Sequence, residues 1–219
     1  IEFKEQGLST LKPRKIWFDE TVQRLNVDSR GELLGEFKSD DKLLIILQNG
    51  ILKTIKPDVN MHFPEDMVSL EKWIPEKPIS AIYFNMTRDR YFIKRFLAGS
   101  QNTDQKFIPE GSKIQLEMIS TEWKPVIEIT FSKSGKNVRG NEIKNIEEVI
   151  SVKGIKAIGN QLSSYKIINI DQLKPIEYTP PEKPTLNELE VDSEEINENE
   201  AVIESNNNNV VDGQTELEF

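Results

Sequence analysis

The chain has 219 residues, 37% hydrophobic and 30% charged, enough for one domain with an ordinary core and a surplus beyond it. Its formal charge of −9 is uneven: residues 1–175 hold 27 Lys+Arg against 24 Asp+Glu, a net of +3, and residues 176–219 hold 1 against 13, a net of −12. No cysteine, a single histidine and no run of about 18 apolar residues exclude disulfides, thiolate metal sites, metal clusters of several histidines and a membrane-spanning helix, whereas the pI of 4.9 belongs to the acidic end and excludes no nucleic-acid partner.

Residues 1–11 read as a lead-in, without the charged start and apolar run of a signal peptide, and the missing initiator Met points to a fragment or a trimmed chain. Absence of cysteine fits a reducing cytoplasm. Residues 12–175 read as a mostly antiparallel all-β domain. Leu43-Leu44-Ile45-Ile46-Leu47, then Gln48-Asn49-Gly50, then Ile51-Leu52-Lys53-Thr54-Ile55-Lys56 predicts a hairpin, with Asn49 and Gly50 both at positive φ in a type I′ turn. Pro64-Glu65-Asp66-Met67 suits a single helical turn with Pro first. Arg90-Tyr91-Phe92-Ile93-Lys94-Arg95-Phe96 is rich in β-formers. Lys113 to Met118 alternates polar and apolar like a half-buried strand, and Val126-Ile127-Glu128-Ile129-Thr130-Phe131 nearly does, before a Ser134-Gly135 turn leading to Val138 and Ile143. Asn145 is placed to cap a turn over Ile146-Glu147-Glu148.

A weak repeat underlies these strands. Lys77-Pro78-Ile79 opens the run to Phe84, Lys124-Pro125-Val126 opens the run to Phe131, and a Trp precedes each, Trp73 and Trp123. Ile46, Phe84 and Phe131 mark units 38 and 47 residues apart, a spacing suited to the blades of a propeller-like array. Residues 176–219 carry Pro180-Pro181, Glu194-Glu195 and four asparagines at 206–209. Such a composition buries too little apolar surface to offset ordering entropy, so an acidic disordered tail is expected.

The chemistry that is missing points to a binding module. His62 stands alone, and a lone histidine is usually structural or merely exposed. No phosphate-binding glycine loop is present. Asp40-Asp41 and Glu147-Glu148 are sequence neighbours rather than a general acid/base pair, and Asn85-Met86-Thr87 is a glycosylation pattern without a secretory signal. Basic residues recur at hairpin edges and turns: Lys53 and Lys56, Arg88 and Arg90, Lys94 and Arg95, Lys133, Lys136 and Arg139, and Lys153 and Lys156. One such cluster per unit along a rim would track a phosphate backbone. The same residues also serve solubility and edge protection in any β domain, and a propeller-like protein-interaction domain without a DNA role is the competing reading.

Several segments together resemble a known family. Lys15-Ile16-Trp17-Phe18-Asp19, Arg30-Gly31-Glu32-Leu33-Leu34-Gly35-Glu36-Phe37, Asp41-Lys42-Leu43-Leu44-Ile45 with Gln48-Asn49-Gly50, Glu71-Lys72-Trp73 with Glu76-Lys77-Pro78-Ile79-Ser80-Ala81-Ile82-Tyr83, and Val152 to Leu162 are similar to the C-terminal region of the DNA-cleaving subunit of bacterial topoisomerase IV and DNA gyrase. The resemblance spans roughly residues 12–175. It implies a β-pinwheel, a propeller-like ring whose blades exchange strands and whose basic rim bends duplex DNA. It also implies a non-catalytic piece of an ATP-hydrolysing type II topoisomerase, partnered by DNA and by a separate ATPase subunit, homodimeric through an N-terminal region, nucleoid-associated in the cytoplasm and without a membrane role. No cofactor is expected in this piece; ATP and Mg²⁺ belong to the whole enzyme. The family's catalytic tyrosine lies in the N-terminal region, so Tyr83, Tyr91, Tyr165 and Tyr178 are not assigned that part. Gyrases carry a basic Gln-Arg-Arg-Gly-Gly-x-Gly box, to which Arg30-Gly31 and Lys153-Gly154 correspond only as relics. That favours relaxation and decatenation over negative supercoiling. At about 40–50 residues per blade the chain is short for a six-bladed ring, so a reduced or open one is expected.

Overall fold

A computed structural model describes residues 12–111, 113–132 and 139–179. The chain divides after Tyr178 into two units, of which the first holds every strand of the described residues. Of the expected disordered acidic tail, 176–219, residues 180–219 lie outside the described residues, as does the Ser134-Gly135 turn.

Four antiparallel sheets follow one scheme. The strands are β1 (Arg14–Asp19), β2 (Arg24–Asn26), β3 (Glu32–Phe37), β4 (Leu43–Leu47), β5 (Ile51–Ile55), β6 (Met67–Lys72), β7 (Ile79–Asn85), β8 (Arg90–Phe96), β9 (Gln105–Lys106), β10 (Ile114–Ser120), β11 (Val126–Phe131), β12 (Glu142–Asn145), β13 (Asn160–Gln161) and β14 (Ile167–Leu173), with one helical turn, α1 (Ile146–Val149). The sheet orders are β2-β1-β3, β6-β4-β5-β9, β10-β7-β8-β13 and β12-β11-β14. In every unit a central strand turns back into a second, and a later strand returns along the central strand's other side.

The units also exchange segments. After the hairpin of the second unit, His62 bridges Arg24 in the first sheet. After that of the third, β9 pairs with β5, and after that of the fourth, β13 pairs with β8. Each exchange is fixed the same way. Phe63 N–H donates to Gln23 O at 3.0 Å, Phe107 N–H to Gly50 O at 3.0 Å, and Leu162 N–H to Tyr91 O at 2.9 Å. Phe63, Phe107 and Leu162 then bury their side chains. This is the strand exchange of a pinwheel, and the weak sequence repeat is real.

Three apolar seams join the sheets. Ile16, Phe18, Leu25 and Phe37 meet Leu43, Ile45 and Ile55. Leu44, Ile46 and Leu52 meet Ile79, Ala81, Tyr83, Phe92 and Phe96. Ile82 and Ile93 meet Ile127, Ile129 and Phe131. Alternate residues of one strand face opposite ways, so Leu43 and Ile45 face the first sheet while Leu44 and Ile46 face the third. That is why Leu43-Leu44-Ile45-Ile46 is apolar without interruption: both faces of β4 are buried. Among the described residues no cluster joins the fourth sheet to the first, so the series is open.

Two local expectations need correction. The β4–β5 connection is not a type I′ turn: only Gly50 has positive φ, at 79°, and Gly50 N–H donates to Leu47 O at 3.1 Å. Ile51 N–H donates to Asn49 Oδ1, and the loop has the three-residue form with glycine in the left-handed position. Pro64 to Met67 is a turn closed by Met67 N–H onto Pro64 O that leads into β6, not a helix. The cap at Asn145 is as expected, its side chain accepting from Glu147 N–H at the start of α1.

Gly159 has φ of 91°, and a Cβ there would stand 2.4 Å from the backbone oxygen of Ile93. Backbone cannot swing aside as a side chain can, so Gly159→Ala must push the exchanged segment off β8. We expect a loss of at least about 1 kcal/mol in urea unfolding. An unchanged midpoint would contradict this account of the exchange.

Candidate nucleic-acid interface

The hairpin scheme gives each sheet two ends. At the turn end the central strand reverses into its neighbour; at the linker end the chain passes to the next sheet. A seven-residue strand such as β7 holds these ends roughly 20 Å apart.

The expected basic residues divide between these ends, and two leave the surface altogether. Lys94 and Arg95 lie mid-strand in β8 and are 2% and 5% exposed. Lys94 Nζ donates to the carbonyl oxygens of Phe107, Ile155 and Ala157 at 2.5, 2.6 and 2.6 Å, and burial pushes its pKa down to about 8. Arg95 donates to Trp123 O at 2.6 Å, and burial lowers its pKa against the opposing pull of Glu147. Their expected place on a DNA-facing rim is therefore corrected: these two cations bind the protein's own backbone. Tyr83, whose hydroxyl donates to Ile158 O at 2.7 Å, ties down the same loop as Lys94.

At the turn end of the third and fourth sheets, Arg88 and Arg90 sit beside Asp89 in the β7–β8 turn. Arg139 stacks on Phe131 and Tyr165, at 5.0 and 4.2 Å to the ring centroids, and pairs with Glu142. Arg90, Tyr91, Tyr165 and Lys166 line one groove, so Arg90 and Arg139 both border Tyr165. Lys166 is held there because Ser132 N–H donates to its carbonyl oxygen. Lys133 and Lys136 lie outside the described residues.

At the linker end, a groove of about 300 Å³ between the first and second sheets is lined by Lys12, Arg14, Lys38 and Lys56, with Phe37 and Pro57. All four cations are exposed, and none makes an ion pair among the described residues. Of these only Lys56 stood out in the sequence. Lys12-Pro13-Arg14 and Lys38 belong to different strand ends, and Arg14 pairing with Phe37 across β1 and β3 is what brings them together. Lys153 is exposed near the linker end of the third sheet, where its N–H donates to Arg95 O, and Lys156 borders a neighbouring groove with Leu97 and Ile158. Lys53 is different again, its ammonium 2.7 Å from Asp104.

Among the described residues no group of three or more His, Cys, Asp or Glu is arranged to hold a metal, and no helix is long and apolar enough to cross a membrane. His62 is exposed, with its Nδ1 2.9 Å from Phe63 O. Most of this open series of four strand-exchanging sheets falls within one family match. The family model for the topoisomerase C-terminal domain of Bacteroidota matches residues 24–174. The chain belongs to this family. No curated protein matches it. The matched span of this topoisomerase C-terminal domain runs from β2 through β14 and takes in the second and third seams whole, together with the exchanges of β9 and β13.

Proposed function

We propose that this topoisomerase C-terminal domain binds and bends duplex DNA for strand passage by a type II enzyme, as the C-terminal part of its DNA-cleaving subunit. The observation that supports it best is the set of exposed cations without ion-pair partners at the linker end of a domain belonging to a topoisomerase family. A phosphate can meet such cations without first displacing a carboxylate. In this reading the turn-end cations Arg88, Arg90, Arg139 and Lys166 add a second contact region with an aromatic face, Tyr165. ATP, Mg²⁺, the ATPase subunit and the homodimer contact belong to the rest of the enzyme, which works in the cytoplasm on the nucleoid and not at a membrane. The absence of a glycine-rich basic box supports a topoisomerase IV-like role in relaxation, decatenation and chromosome segregation over gyrase-type supercoiling. Fluorescence anisotropy with a labelled duplex of mixed sequence tests the reading. The affinity is expected to fall linearly with salt on logarithmic axes and to be indifferent to sequence. A chain that binds no duplex at low salt leaves the protein-interaction alternative.

The acidic segment enters the same experiment. Residues 180–219 hold 1 Lys against 12 Asp+Glu, a net of −11, tethered to a remainder of +2, so the segment competes with DNA phosphates at high effective concentration. Removing residues 180–219 is expected to tighten DNA binding at low salt, with the gain shrinking as salt screens the segment. Equal affinities of the two chains at low salt would leave the segment a role in solubility alone.

A further inference from the structure

Three of the four sheets have the edge of their second strand covered by an antiparallel segment from the next unit: His62 on Arg24, β9 on β5, β13 on β8. The fourth does not. Strand β12 pairs with β11 on one side, and on the other with nothing among the described residues. An uncovered strand edge is a template for another strand.

We propose that the β12 edge is an interaction surface for the same edge of a second copy of this chain. The sequence of the strand, Glu142-Ile143-Lys144-Asn145, is self-complementary. Antiparallel pairing centred on Ile143 sets Ile143 against its two-fold mate, and Glu142 of each copy against Lys144 of the other. Glu142 and Lys144 point to the face that carries Ile129 and Ile127, and Ile143 to the opposite face beside Glu128. Ile143 is 67% exposed, the most exposed large hydrophobic side chain among the described residues. Burial raises the pKa of Glu142, but hydrogen bonds from Lys144 and Arg139 outweigh it and hold the carboxyl below its ordinary range. The acid is thus ionised and fixed at the edge, and a second copy adds a further cation to it. The sheet's other edge strand lacks this property: pairing β14 about Ile170 would set Asn169 against Asp171 and supply no cation. The antiparallel sense matches the three exchanges within the chain. A four-residue edge is a small contact, so the dimer is expected to be weak and salt-sensitive.

Sedimentation of the full 219-residue chain at low salt, over a concentration series reaching about 1 mM, reads the association. Glu142→Lys and Lys144→Glu each oppose like charges across the two-fold, yet mixed together they oppose unlike ones. The expected result is a reversible wild-type dimer, at least a tenfold weaker one for each variant alone, and a heterodimer in the equimolar mixture that recovers the wild-type affinity. The mixture guards against misfolding, because damaged variants would not recover. Salt dependence of the wild-type dimer gives a second reading without any substitution. A wild-type chain that stays monomeric throughout, a dimer indifferent to salt and to both variants, or a mixture no tighter than its components overturns the proposal.

Discussion

Replacing Lys94 with Met is expected to destabilise the folded unit by roughly 1–3 kcal/mol, the cost of leaving buried carbonyl oxygens without a donor, offset in part by removal of a poorly solvated charge. Methionine keeps the stem of the side chain and removes its donors. Phe107 O, Ile155 O and Ala157 O then lose the ammonium they share, and a buried acceptor left without a donor costs roughly 1–3 kcal/mol. The three carbonyls come from two segments, one after β8 and one after α1, so the lysine holds both onto the third sheet. Urea unfolding followed by tryptophan fluorescence measures the loss. A change under about 1 kcal/mol would show that the carbonyls find other donors.

The same lysine gives the stability a pH dependence with a definite sign. Its pKa in the fold is about 8, against an ordinary 10.5. Below 8 it is charged in both states. Between about 8 and 10.5 the unfolded chain still binds the proton that the fold has released, so stability rises with pH. The limit of that rise is roughly 3 kcal/mol at 1.36 kcal/mol per pH unit. Tyr83, whose pKa is raised by burial, works the other way near pH 10 and above, so the comparison is between the wild type and Lys94→Met. The rise should be present in the first and missing in the second.

Lys94 also marks where the sequence stops being legible. The strands themselves are plain: β4 and β11 have the bounds their apolar runs suggest, and Asn145 caps α1. The repeat is visible as Lys-Pro and Trp echoes because each Lys-Pro leads directly into a central strand, β7 or β11. The exchanged segments are not visible, since Met61-His62-Phe63, Gln105-Lys106-Phe107 and Asn160-Gln161-Leu162 have little in common beyond a polar residue before the apolar one that is buried. Lys94 and Arg95 read as surface cations because a strand of Tyr, Phe, Ile, Lys, Arg and Phe gives no sign that both faces are covered. Only the exchange of β9 onto β5, and of the segment ending in β13 onto β8, puts carbonyls where the ammonium ends. The linker-end groove was hidden for the opposite reason: its lysines and arginine lie in three separate segments, and β-pairing alone unites them.

If DNA lies on those cations, changing Lys12, Arg14, Lys38 and Lys56 together to Gln should weaken duplex binding by roughly tenfold per lost phosphate contact at about 0.1 M salt, and should flatten the salt slope by about 0.9 for each. Glutamine keeps the polarity of the side chains and much of their length, and the four are exposed, so the fold should hold. Arg88, Arg90 and Lys166 changed to Gln form the matching turn-end variant, leaving Arg139 to its stack on Tyr165 and its pair with Glu142. Lys53→Gln is the internal control. Its charge is already met by Asp104, so its loss should leave the slope almost unmoved. The two variant sets also say which ends of the sheets the duplex touches. Loss in both means a duplex that reaches the linker end of the first two sheets and the turn end of the last two. Loss in one confines the contact to that end. Unchanged affinity and slope in both sets would take DNA off the substituted cations of both ends and leave Arg139, Lys153 and Lys156 as the remaining exposed candidates among the described residues singled out in the sequence.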